Sequence, residues 1–153
     1  RALGEPVDAV AFSPDGRLVV AGIRDGAEQV WDASSAKLQS QGNHLRSKPL
    51  SVEFDATSSL IVAAGSTGSV AVSEAGTGMP VTVLDGPSAV VRVAHFDPSS
   101  QHVVGASWDG TARIWDATAP YRRWSSPPLN NDFGAMASED IHNWHSQYGT
   151  IAA

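Results

Sequence analysis

Apolar stretches in this chain are short, recur in one order, and are separated by Pro, Asp and Gly. A stretch ending in Phe12 gives way to Ser13-Pro14-Asp15-Gly16, then to an apolar run from Leu18 to Ala21, the turn Arg24-Asp25-Gly26 and a third run ending in Trp31-Asp32. The order returns 42 residues later with Phe54, the run Leu60 to Ala64 and Ser66-Thr67-Gly68, and 84 residues later with Phe96, the run His102 to Ala106 and Trp108-Asp109-Gly110. Runs of this length, rich in Val and punctuated by turn formers, read as short antiparallel strands joined by hairpins. Self-similarity at a fixed period marks one supersecondary unit used several times. The pattern predicts strands near Val7–Phe12, Leu18–Gly22, Gln29–Asp32 and Lys37–Gln41. A second set falls near Leu50–Phe54, Leu60–Ala64, Ser69–Ser73 and Pro80–Leu84, and a third near Val90–Phe96, His102–Ser107, Thr111–Asp116 and Pro120–Trp124.

The segments Val7-Asp8-Ala9-Val10-Ala11-Phe12-Ser13-Pro14-Asp15-Gly16 and Ser107-Trp108-Asp109-Gly110-Thr111-Ala112-Arg113-Ile114-Trp115-Asp116 carry a specific signal. Through them, and through two Trp-Asp pairs 84 residues apart, the chain resembles the WD-repeat β-propeller family over about residues 5–126. The resemblance implies an all-β partial propeller of three four-stranded antiparallel blades, at about residues 5–42, 43–85 and 86–126. Propellers close rings of roughly 4–8 blades, so three cannot close alone. In the same register Ser138 aligns with Phe96, but no second strand follows it. Residues 127–153 are therefore expected to hold a linker, the start of a fourth blade and an irregular tail. Completion by self-association is the expected remedy, as a homodimer with some strand exchange.

The family also implies a polar network of a His, a strand Ser or Thr, the turn Asp and the third-strand Trp. Ser107, Asp109 and Trp115 match it in the third copy, with Pro87 where the His belongs. Asp25 and Trp31 match in the first, with Leu3 near the His position. In the second, Thr67 and Ser73 stand in the places of Asp and Trp, and His44 is one residue out of register. These residues are expected to serve as repeat scaffold, with turn amides and the indole N–H as partners of a buried Asp.

Composition narrows the function. With 153 residues, 42% hydrophobic and 17% charged, the chain has the makings of one packed domain. It has no Cys, so neither disulfides nor thiolate metal sites arise, and a reducing, cytoplasmic setting is expected. A net charge of -6 without a basic cluster argues against nucleic acid, and no apolar run is long enough for a membrane. By resemblance the chain is a protein-interaction scaffold needing no cofactor. Arg24, His44, Arg46 and Trp108, on loops of one rim, are the contact candidates.

The competing expectation is a metal-dependent hydrolase of phosphoesters or esters. On a helical tail His142 and His145 share a face, and Glu139 or Asp140 adds an oxygen ligand suited to Zn²⁺ or another divalent metal. Glu53 and His95 hold equivalent positions before Phe54 and Phe96 on adjacent inner strands, with Ala11 as the third member. They are expected to meet near the channel, as an ion pair offsetting burial or as an acid–base or metal site.

Overall fold

The computed structural model describes residues 5–84 and 88–118 and the backbone of 151–152. Eleven of its strands follow the sequence pattern: β1 (Val7–Phe12), β2 (Leu18–Ile23), β3 (Glu28–Asp32), β4 (Leu38–Gly42), β5 (Pro49–Phe54), β6 (Leu60–Gly65), β7 (Val70–Glu74), β8 (Pro80–Leu84), β9 (Val91–Phe96), β10 (His102–Ser107) and β11 (Thr111–Asp116). A two-residue β12 (Ile151–Ala152) completes them. They form three four-stranded antiparallel sheets, ordered β1-β2-β3-β4, β5-β6-β7-β8 and β9-β10-β11-β12. Several predicted bounds move by a residue, some outward, as in β2 and β6, and some inward, as at the start of β9. The strand expected at Pro120–Trp124 lies outside the described residues. On the outer edge of β11 it is β12 that pairs, with Thr111 opposite Ala152 and Ala112 opposite Ile151.

The sequence period survives as pairing register. Val19 pairs with Trp31, Ile61 with Ser73 and Val103 with Trp115, each set 42 residues from the next. Turn chemistry enforces this. The amides of Gly26, Gly68 and Gly110 bond the carbonyls of Ile23, Gly65 and Ser107, and all three glycines have positive φ (96, 87 and 84°). A type I turn closed by a left-handed residue is the usual three-residue hairpin, and Gly adopts that conformation without a Cβ clash. The first turn of each repeat works alike, with Gly16, Ser58 and Ser100 at φ 70, 62 and 61°.

The sheets stack through apolar faces, with β1 against β5 and β5 against β9. Between the first two blades lie Val20, Val30 and Leu45 with Val52, Phe54 and Ile61. Between the second and third lie Val62, Val70, Val72 and Leu84 with Val91, Ala94, Val103 and Trp115. Val and Ile suit such faces, since branched side chains pack well on a pleated surface.

Gly105 makes room for the Trp115 indole. A Cβ there would lie 2.8 Å from Cζ3 of Trp115 and 3.3 Å from Val91. Gly105→Ala is therefore expected to lose about 1–3 kcal/mol through overpacking, read as a lower urea midpoint. An unchanged midpoint would show that the indole has slack to move.

Candidate functional site

At one end of the sheets, two repeat positions meet beside the inner strands: the second residue of β1, β5 and β9, and the residue after β2, β6 and β10. In the first blade these are Asp8 and Arg24, whose guanidinium donates to the carboxylate at 3.1 and 3.2 Å. Lys48 joins Asp8 at 3.2 Å. The bond from Arg24 holds the Asp8 carboxyl below its ordinary value; desolvation opposes it, and the bond from Lys48 adds to the lowering. The second blade has Leu50 and Ser66. In the third blade Arg92 and Trp108 meet as a cation–π pair, the guanidinium carbon 5.7 Å from the ring centroid, with Trp108 70% exposed. Stacking leaves the remaining indole surface open to a ligand.

Arg24, Arg46 and Trp108 are all exposed; Arg24 shares Asp8 with Lys48, and Trp108 pairs with Arg92. His44 departs from them. It is half-buried, with Nε2 2.8 Å from the carbonyl of Gly78, so it secures the crossover between the first two blades. The sequence signal for Arg92 was available in its register with Asp8, once Trp108 was recognised as the counterpart of Arg24.

The other end is acidic, and its carboxylates are committed to turns. Asp32 accepts from the hydroxyls and amides of Ser34 and Ser35, which hold its pKa at about 2. Asp97 is held well below the carboxylate range by the Ser99 hydroxyl first and by the His102 amide. Asp55, 1% exposed, accepts from Thr57, Ser59 and Leu60 in its own turn and from Ser100 of the next blade at 2.9 Å.

Among the scaffold residues, Asp109 accepts from the hydroxyl and amide of Thr111 and the amide of Ser88, and its pKa falls to about 2, first through the Thr111 hydroxyl. Asp25 accepts from the Ala27 amide and is exposed rather than buried, which corrects the expectation for it. Ser107 accepts from the Asp109 amide. Trp115 is 7% exposed, while Trp31, at the same repeat position, is only half-buried because no described blade precedes the first.

Glu53 and His95 meet as the register required, with Oε2 and Nδ1 2.6 Å apart. Their side chains are 38% and 57% exposed, so the pair does not offset burial as expected; it bridges two inner strands in contact with solvent. Among the described residues, no group of three or more His, Asp or Glu side chains is gathered in metal-binding geometry. Glu139, Asp140, His142 and His145 lie outside the described residues.

Two features escaped the sequence reading. The first is Glu28, 2% exposed, whose Oε2 accepts the Ser73 hydroxyl at 2.7 Å while Oε1 has no partner among the described residues. Burial raises its pKa above 4.5, against smaller lowering effects of the Ser73 bond and the His44 charge. The second is the pair of open blade faces. Val10 and Phe12 are 66% and 68% exposed, whereas their counterparts Val52 and Phe54 are 7% and 4% exposed. On the far side of the stack Val104 and Ile114 are 43% and 40% exposed, against 0% for Val62 and Val72.

Comparison with known proteins adds family evidence. The model of the WD domain, G-beta repeat, matches residues 3–32 and 78–116. Thr67 and Ser73, in place of Asp and Trp, fall between the two matches. The nuclear distribution protein nudF of Aspergillus terreus is 30% identical over 166 residues, covering 85% of this chain and 37% of the relative. The target of rapamycin complex subunit LST8 of Bos taurus is 23% identical over 113 residues, covering 73% of this chain and 35% of the relative. The chain thus spans about a third of the length of these curated relatives. Among solved structures, the computationally designed Ika4 protein superposes with a TM-score of 0.67 at 27% identity, covering 82% of this chain and 76% of that one. The designed Ika8 protein gives 0.64 at 28%, covering 73% and 33%.

Proposed function

Because the chain belongs to the WD-repeat β-propeller family, we propose that it is a scaffold for protein–protein contact that works as an assembly of its own copies. The observation that carries the contact role is Trp108, exposed with the Arg92 guanidinium over its ring, on the same end of the sheets as Arg24 and Lys48, which share Asp8. Aromatic and Arg side chains concentrate binding energy at protein interfaces, and this set fits a segment rich in Asp and Glu. The name of the relative LST8, a complex subunit, supports the same reading. Neither the family match nor the relatives favour the metal-dependent hydrolase.

Selection from a random displayed peptide library is the test. Acidic peptides are expected to be enriched, and Trp108→Ala to weaken them about tenfold, the effect of one modest hot spot. No enrichment, or equal binding by the variant, would remove the rim from the proposal.

A further inference from the structure

We infer that the open face of the third blade of one copy receives the open face of the first blade of a second copy, in the register of the two blade junctions inside the chain. This rests on the reading of the protein as a self-assembling scaffold and specifies how its copies meet.

Each internal junction joins two different faces. The face turned toward the preceding blade presents Val52 and Phe54 in the second blade, and Ala94 and Phe96 in the third. The face turned toward the following blade presents Val20 and Val30 in the first blade, and Val62 and Val72 in the second. By register, the free face of the first blade is of the former kind, with Val10 and Phe12. The free face of the third is of the latter kind, with Val104 and Ile114. The same apolar residue types that are buried at the internal junctions stand exposed here, and contiguous apolar patches on soluble proteins mark interaction sites.

Size complementarity makes the match specific. At the second junction Val70 and Trp115 share one buried cluster. At the first, Glu28 and Ser73 occupy the same two positions and touch at 2.7 Å. A large residue on one face thus faces a smaller one on the other. The remaining members of the two series are Ala112, exposed on the third blade, and Trp31, half-exposed on the first. A head-to-tail contact sets the indole of one copy over the methyl of the other. Pairing two like faces would oppose Phe12 to Phe12 or Ile114 to Ile114, with no internal precedent.

The channel agrees. Ala11 takes the position held by Glu53 and His95 in the other blades, so His95 of one copy meets a methyl group rather than a second imidazole. The described sheets of two copies make six, inside the roughly 4–8 blades over which propellers close.

The decisive experiment is a complementation measured by light scattering on the full chain. Wild type is expected at twice the 16.0 kDa chain mass. Phe12→Glu alone and Ile114→Glu alone are each expected to lose at least tenfold in self-affinity. Circular dichroism is expected to stay native for both, since each side chain is exposed in the single chain. Mixed at equal concentration, where each alone is monomeric, the two variants are expected to yield a two-chain species through the one intact pair of faces. A variant that associates as well as wild type, or a mixture that remains monomeric, overturns the head-to-tail register. Wild type that is monomeric throughout overturns self-association itself. Acidic-peptide binding reads the rim separately, so a monomer that still selects peptides keeps the contact role while losing the assembly.

Discussion

Trp115→Ala is expected to cost about 3–5 kcal/mol of folding free energy, whereas Trp31→Ala costs the single chain less than half of that. Both indoles hold the same repeat position, opposite Val103 and Val19, so local structure does not separate them. Surroundings do. Trp115 is 7% exposed and packs among Val62, Val70, Val91 and Val103, with Gly105 vacated for its ring, so truncation leaves a cavity that rigid strands cannot fill. Trp31 borders the free face of the first blade, where truncation trims an edge already open to water. Urea denaturation at low protein concentration, where copies are separate, reads the difference. As concentration rises the penalty of Trp31→Ala is expected to grow, because the same indole then lies at the junction between copies. Equal penalties at low concentration would show that the first blade is already covered in the single chain.

How much of this was legible follows from what each signal depends on. The strands and hairpins were readable because their determinants are local: Asp or Thr before Gly, and Phe before the first turn, recur 42 residues apart, and Gly26, Gly68 and Gly110 fill the left-handed position of the second turn in all three copies. The Glu53–His95 contact was readable for a related reason, since equal register on adjacent inner strands fixes proximity. Its exposure was not, because the width of the space beside the inner strands is a property of the whole stack. The rim was half legible. Trp108 and Arg24 announce themselves in turns, but Arg92 and Lys48 matter only through partners in other strands and loops. Least legible was the role of Ser73. In one dimension it is a missing Trp. In three dimensions Glu28 reaches in from the neighbouring blade and accepts the Ser73 hydroxyl. The missing Trp is thus answered by a residue 45 positions away in sequence.

That compensation carries a cost that depends on pH. Glu28→Gln is expected to stabilise the protein by about 1–3 kcal/mol at neutral pH, the scale of a buried polar atom left unsatisfied, with the gain disappearing as pH falls into the ordinary carboxylate range. The folded state raises the Glu28 pKa because burial disfavours the anion more than the Ser73 hydroxyl and the His44 charge favour it. Between the unfolded value and that raised folded value, the folded protein holds a proton that the unfolded chain has released. Stability is therefore fully present below the unfolded pKa and declines as pH rises through the folded one. Asp32, Asp97 and Asp109 slope the other way. Their pKa values are depressed by hydroxyl and amide donors, so their contribution is present above the ordinary range and is lost on acidification. Because the variant leaves those three untouched, subtracting its stability from that of wild type at each pH cancels them and isolates Glu28. Gln keeps an oxygen for the Ser73 hydroxyl and never ionises, so the difference is expected to be near zero in acid and to widen toward neutrality. Denaturant titrations from acid to neutral pH measure it. A difference that stays flat would mean that Glu28 keeps its unfolded-state pKa inside the fold, as it would if solvent reached Oε1.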